Sequence, residues 1–475
     1  MISTDISNNS ENTDVIDLLA STFKISREII NDDLHYQSIP EWDSLKHVEL
    51  MGKIEETYGT KIKQEQVLQL TSVAAIKEFC RLVNVDDHAD GKISYNQTLN
   101  MGAVSNTIHR GLNGVFYDNS SVASIDGNAG KLLYCGISIQ ELVEKSSYDE
   151  IIFLLLNRRL PLADELENLR EQLQSYWVLP GKVVDIIKEL KDSPPIEVLK
   201  ISLSILGAES RENNKDFTLQ NGIKLIVQVA SIIAQYQAIR MNSVLMPTFQ
   251  EFSHTGNFLI KLLGRVPSSE ELRIFDRDMI VHAEHGSNAS TFVARIVTGT
   301  ESDIYSALTA AVAAFAGNLH GGALSAVMDM LQEIKEPENV KEYIAQRKLL
   351  GKPIYGFGHR VYRTEDPRAR CLRSDAEKLS AIKQDFKWLR ILETVVAEMQ
   401  DYMSYGMNIN VDFYACITYY LLGIPADMFV PVFVASRVTG WVAHIFEQAE
   451  NNILIRPRLN YIGKLEHNYI PLVNR

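Results

Sequence analysis

Gly356-Phe-Gly-His-Arg-Val-Tyr-Arg-Thr-Glu-Asp-Pro-Arg368 places a histidine, His359, nine residues before an arginine, Arg368, on a glycine-rich, turn-prone segment. Glycines at 356 and 358 let the backbone approach a ligand closely, because they carry no Cβ. Histidine titrates near neutral pH and can donate a hydrogen bond or a proton to a reacting oxygen. Arginine presents a fixed fork of donors that matches a carboxylate. The combination points to a carboxylated small molecule whose carbonyl is being activated. Taken alone, the stretch also reads as a turn carrying an exposed salt bridge.

Three other segments gather the same residue types. In His282-Ala-Glu-His285-Gly-Ser-Asn-Ala-Ser290 two histidines at i and i+3 predict one shared helix face. That spacing would suit a metal, but no third ligand stands at a typical distance, so structural and binding histidines stay equally open. In Ala316-Gly-Asn-Leu-His320-Gly-Gly the histidine closes an alanine-rich helix. A helix C-cap accounts for one glycine and leaves the second unexplained. In Asn410-Val-Asp412-Phe-Tyr the aspartate precedes an apolar helix and reads by itself as an N-cap.

The chain has 475 residues and a formal charge of −13, which disfavours nucleic acid as a partner. The charge is uneven. Residues 1–90 hold 17 Asp and Glu against 8 Lys and Arg, and the remaining 385 residues carry only −4. A small acidic module on a nearly neutral body is expected. Cys80, Cys135, Cys371 and Cys416 are scattered, with no pair at disulfide-motif or metal spacing, which suits a reducing cytoplasm. The polar N-terminus is unlike a signal peptide, and the apolar stretch Met428–Phe446 contains Arg437 and His444, so no membrane span is expected.

Periodicity predicts a mainly α protein. Residues 1–12 read as a disordered tail and 13–84 as a helical module. Its helices are expected over Asp14–Phe23, from Asp43 or Ser44 to Tyr58, and over Val73–Val83. Residues 85–96 read as a linker. Short strands are expected within Gly114–Ile125 and Lys131–Tyr134. Ser302–Ala316, apolar nearly all round, is expected as a buried helix.

HAEHGSNAS, NLHGG, GFGHRVYRTEDPR and NVDFY, in this order, resemble the citrate synthase family. ASRVTGWVAH around Arg437, the RPR at Arg456–Arg458 and the early SIDGNAGKLLY extend the resemblance over about residues 97–465. It implies a helical fold over 97–475, with a large part (97–320 and 424–475) and a small part (321–423) that closes over the substrates. It implies Claisen condensation of oxaloacetate with an acetyl thioester, acetyl-CoA or a carrier-tethered one, and no metal. Asp412 would take a proton from the acetyl methyl group. His320 would hydrogen-bond the thioester oxygen, and His359 would polarise the ketone. Arg368, Arg437 and Arg456 would bind carboxylates, with His285 a further oxaloacetate contact and His282 an additional site residue. The last arginine would reach across a homodimer. Asn318 and Cys135 depart from the common pattern without touching these positions. A 2-methylcitrate synthase using propionyl-CoA and an inactive synthase-fold scaffold remain as alternatives.

The acidic module has its own resemblance. Trp42-Asp43-Ser44-Leu45, opening an amphipathic helix, looks like an acyl carrier protein. This implies 4'-phosphopantetheine on Ser44, added by a phosphopantetheinyl transferase. A phosphodiester at a helix N-terminus is electrostatically favoured; Asp43 and Ser44 serving only as caps is the plainer reading.

Overall fold

The computed structural model describes residues 10–475 apart from positions 33, 37, 40, 68, 86–107, 113, 211–216 and 464–468. The expectation of a mainly helical protein is met. The tail expected over 1–12 is corrected, since helix α1 spans Ser10–Phe23; residues 1–9 lie outside the described residues. So does the expected linker, except Val85, which ends a helix.

The N-terminal unit contains α1, α2 (Ser44–Tyr58), α3 (Gln64–Val67) and α4 (Val73–Val85). The Asp43 carboxylate caps α2 by accepting Lys46 N–H at 2.8 Å, and Gly59 ends it at φ 62°. Ser72 Oγ accepts Ala75 N–H at 3.1 Å and starts α4. Leu19, Phe23, Trp42, Leu50, Met51 and Ile54 form the core of this unit. The apolar stripe of α2 is shared between two cores. Leu50, Met51 and Ile54 face inward, while Leu45 and Val48 pack on the apolar core of the body.

The body is organised around the helix Phe429–Glu450, which touches Tyr148–Asn157, Leu219–Arg240, Ser269–His282, Ala289–Gly299 and Ile304–Phe315. Leu219–Arg240 and Ala426–Glu450 are long and apolar enough to cross a membrane. Their apolar windows are 83% and 89% buried inside the protein, so core packing accounts for their composition.

Strands β1 (Ala123–Asp126), β2 (Lys131–Tyr134) and β3 (Ile137–Ser138) form one antiparallel sheet in that order, with Ala123 opposite Tyr134. The strand expected to include Val115-Phe116-Tyr117 starts only at Ala123. Phe116 is 98% exposed, so its alternation has no core to face. The alanine-rich helix runs Ile304–Phe315 and buries Ala307, Leu308, Ala311, Val312 and Phe315. Ser306 and Ala313 stay exposed, so it is buried on one face rather than all round.

Phe429–Glu450 meets the segment after His282 at Gly440. Gly440 N–H donates to Ala283 O at 3.2 Å, and a Cβ there would overlap Ala283 O and the Glu284 carboxylate. Gly440→Ala is expected to cost about 1–3 kcal/mol, read as a lower denaturant midpoint; an unchanged midpoint would show that the helix can shift aside.

Candidate active site

The Gly356–Arg368 run is tied to the residues before Asp412. Gly358 N–H donates to Asn408 O (2.8 Å), Asn410 N–H to Gly356 O (2.9 Å), and Asn410 Nδ2 to Gly358 O (3.1 Å). Gly356 has φ 82°, and a Cβ there would strike the Phe413 ring. Glycine therefore lets the loop lie directly on the start of the helix Asp412–Leu422.

This brings His359 over His285, with ring centres 5.1 Å apart. His359 Nδ1 accepts the N–H groups of Val361 (3.0 Å) and Tyr362 (3.1 Å). Burial pushes its pKa down to about 4 against the opposing charge of Asp366. A neutral ring that accepts at Nδ1 carries its proton on Nε2, so His359 is a fixed donor. His285 Nε2 lies 3.1 Å from Tyr362 Oη, and burial with the charge of Arg368 holds His285 well below the usual range.

The two buried arginines differ. Arg368 is clamped by Asp366, with Nε on Oδ1 at 3.0 Å and Nη2 on Oδ2 at 2.7 Å. Burial would lower its pKa, and Asp366 outweighs that and raises it. Arg437, 2% exposed, donates Nε–H to His282 O at 2.7 Å, and its Nη2 has no hydrogen-bond partner among the described residues. Burial lowers it to about 10, so it remains a cation at neutral pH. A buried cation with an unmet donor is poised for an anion.

The expected shared face of His282 and His285 is corrected. The helix Ser269–His282 ends at His282, and the next turn carries His285 elsewhere. That turn is held by the β2 residue Tyr134, whose hydroxyl donates to Glu284 O at 3.0 Å. His282 Nδ1 lies 2.9 Å from Asp278 O, and its Nε2 is buried without a partner among the described residues. Among the described residues no group of three or more His, Cys, Asp or Glu could hold a metal ion.

His320 lies in the turns after Phe315 rather than capping the helix. Neither glycine caps that helix; Gly321 is required because a Cβ there would overlap Phe315 O and its ring. Ser290 Oγ lies 2.8 Å from His320 Nε2 and receives Trp441 Nε1–H at 3.1 Å. Ser290 N–H, a donor only, points at the same nitrogen at 3.4 Å. Asn288 Oδ1 lies 3.3 Å from the same nitrogen, and burial lowers His320 to about 4, so its ring is neutral at physiological pH.

Asp412 opens its helix but does not cap it; the cap position is Val411, and Asn410 Oδ1 takes Asp412 N–H at 3.1 Å. Loss of water pushes Asp412 up to about 6, partly offset by His282 and Arg368. The mutual electrostatics of Asp412, His282, His285, His320, His359, Arg368 and Arg437 place them in one cluster. Arg456 is exposed on the segment after Glu450 and lies outside it in this chain. Asp366, Asn288 and Ser290 are polar partners that the sequence reading passed over. Asp366 reads as an N-cap before Pro367, and Asn288 and Ser290 stand in the histidine segment itself.

Residues 111–458 match the family described as citrate synthase, C-terminal domain. The chain belongs to the citrate synthase family. Residues 13–80 match the phosphopantetheine attachment site family, so an acyl-carrier-like unit precedes the citrate synthase unit. The chain is 39% identical to citrate synthase 2 of Bacillus subtilis over 78% of its own length and 100% of that protein. It is 34% identical to 2-methylcitrate synthase 1 of Corynebacterium glutamicum over 78% and 98%. A solved structure of Thermoplasma acidophilum citrate synthase, a ternary complex with carboxymethyl coenzyme A and oxaloacetate, superposes with a TM-score of 0.73 at 32% identity, covering 78% of this chain and 99% of that one. The citrate synthase unit is a condensing acyltransferase of the kind that converts the acyl group to alkyl on transfer.

The tautomer of His359 is open to direct measurement. Ring nitrogen-15 shifts at pH 7, assigned by loss of the signal in His359→Gln, should show a neutral imidazole protonated at Nε2; protonation at Nδ1 would contradict the geometry.

Proposed function

We propose that the citrate synthase unit condenses oxaloacetate with an acetyl thioester to give citrate and a free thiol. The supporting observation is the dry cluster in which Asp412, neutral histidines and two buried arginines meet. Asp412 takes a proton from the acetyl methyl carbon. Its raised pKa narrows the mismatch with that carbon, and each unit is worth about 1.4 kcal/mol. His320 donates to the thioester oxygen as enolate character grows, and His359 donates from Nε2 to the ketone oxygen of oxaloacetate. The methyl-derived carbon bonds to the ketone carbon, and water then cleaves the C–S bond.

Arg368, Arg437 and His285 hold the oxaloacetate carboxylates, and Arg456 adds a third arginine from the second subunit of a homodimer. His282 is a positioning residue whose carbonyl fixes Arg437. Residues 97–320 and 424–475 form the large part, and 321–423 the small part that closes over the substrates. Residues 10–85 form the carrier, in a cytoplasmic protein.

Ser44 is the attachment point for 4'-phosphopantetheine, delivered by a phosphopantetheinyl transferase. The support is the match over 13–80 and the place of Ser44 as the first residue of α2, whose first-turn N–H groups suit a phosphodiester. Bound there, the group supplies a thiol that can hold an acyl group. The resemblance to 2-methylcitrate synthases keeps propionyl-CoA as a second donor. One methylene discriminates by only about 1–3 kcal/mol, so the comparison of kcat/KM for the two thioesters decides, with acetyl-CoA expected to lead.

Thiol release from acetyl-CoA should require oxaloacetate and should fall roughly a hundred- to ten-thousand-fold in Asp412→Asn and in His320→Ala. Full activity in either variant would reject these roles. Asp412 works deprotonated, so its raised pKa moves the acid limb upward; kcat/KM should fall about tenfold per unit below about pH 6, and a limb near pH 4 would contradict the site. Arg437→Ala should weaken oxaloacetate binding by about 2–5 kcal/mol, seen by calorimetry.

A further inference from the structure

The seam between the carrier and the citrate synthase unit lies against the candidate active site. Leu45 and Val48 of α2 pack on the apolar core of the body. Tyr405 Oη donates to Glu55 Oε2 at 2.8 Å, and the Arg363 guanidinium stands 5.7 Å from the centre of the Tyr36 ring. A cavity of about 30 Å³ remains between the two units. His47 and Val48 line it from the carrier, and Gly358 and His359 from the body. His359 also faces His285, so it borders both this cavity and the reacting cluster. Ser44 opens α2, three residues before His47 and four before Val48.

We propose that this seat is the working position of the carrier, and that the carrier serves the condensing site of its own chain. Tyr36, Val48 and Glu55 are the docking residues on the carrier, and Arg363 and Tyr405 on the body. The prosthetic arm on Ser44 enters beside His359. The proposal rests on the reading that Ser44 is modified and that the cluster condenses acyl thioesters. It adds that the donor arrives from within the same chain. The reaction balances without a further reactant: carrier-bound acetyl thioester, oxaloacetate and water give citrate and the free carrier thiol. An intramolecular donor raises the effective concentration at the site without any new contact to the acetyl group.

Val48 and Met407 line the same cavity from opposite sides. In the full chain, Val48→Cys with Met407→Cys should close under mild oxidation into a disulfide within one chain, read as loss of two thiols at single-chain mass. A covalent dimer, or no disulfide, would overturn the proposal. With acetyl-phosphopantetheine transferred to Ser44 and free thioester removed, Tyr405→Phe should slow citrate formation roughly tenfold, the size of a lost hydrogen bond to a charged group, and leave turnover of free acetyl-CoA unchanged. Equal slowing of both would give Tyr405 a general structural role and refute docking. Mixed dimers of Ser44→Ala and Asp412→Asn chains should not turn over the carrier-bound acetyl group; turnover there would mean delivery to the partner. Condensation of free acetyl-CoA without any of the carrier-bound group removes this proposal and leaves the synthase reading standing, whereas failure of both substrates removes that reading itself.

Discussion

A guanidinium buried in the protein depends on nearby anions, and Arg437 has Glu284 and Asp412 acting on it through space while one of its donors stays open. Its Nε is tied to His282 O, and its Nη2 is left without a partner among the described residues. Holding a cation in a dry interior costs several kcal/mol unless it is paired. The helix Phe429–Glu450 that carries it packs among several others and has no Cβ at Gly440, where it meets Ala283 and Glu284. Arg368 follows the opposite plan. Its forked contact with Asp366 fixes its orientation and leaves other donors of the guanidinium for a ligand.

Two positive charges and little water set the protonation states around them. His285, His320 and His359 are all held below the ordinary histidine range, so they act as neutral donors at physiological pH. The tautomer of His359 comes from the backbone: the N–H groups of Val361 and Tyr362 occupy one of its ring nitrogens. The same dryness moves Asp412 upward, toward the strength a base needs. One environment thus weakens the histidines as bases and strengthens the carboxylate as one.

The carrier shows how one amphipathic helix can serve two cores. Leu50, Met51 and Ile54 of α2 stabilise the N-terminal unit, while Leu45 and Val48 are spent on the contact with the citrate synthase unit. Contacts of this kind between units of one chain resemble transient protein interfaces.

The local signals were readable in the chain itself. Asp43 and Gly59 bound α2, alternation found Lys131–Tyr134, and the run Gly356–Arg368 pointed to a carboxylate and an activated carbonyl, because caps, turns and donor forks depend on residues a few positions apart. Other features depend on residues far apart in sequence, and local pattern was silent or misleading about them. The histidine pair read as one helix face is split because its helix stops at His282, where Tyr134, nearly 150 residues earlier, holds the turn. Asp366 on Arg368 and Ser290 on His320 are polar partners that local pattern did not single out. The unpaired nitrogen of Arg437, the pKa values of the site and the contact of α2 with the His359 loop belong to the tertiary structure alone. Desolvation and charge act through space, and only packing decides which groups lose water together.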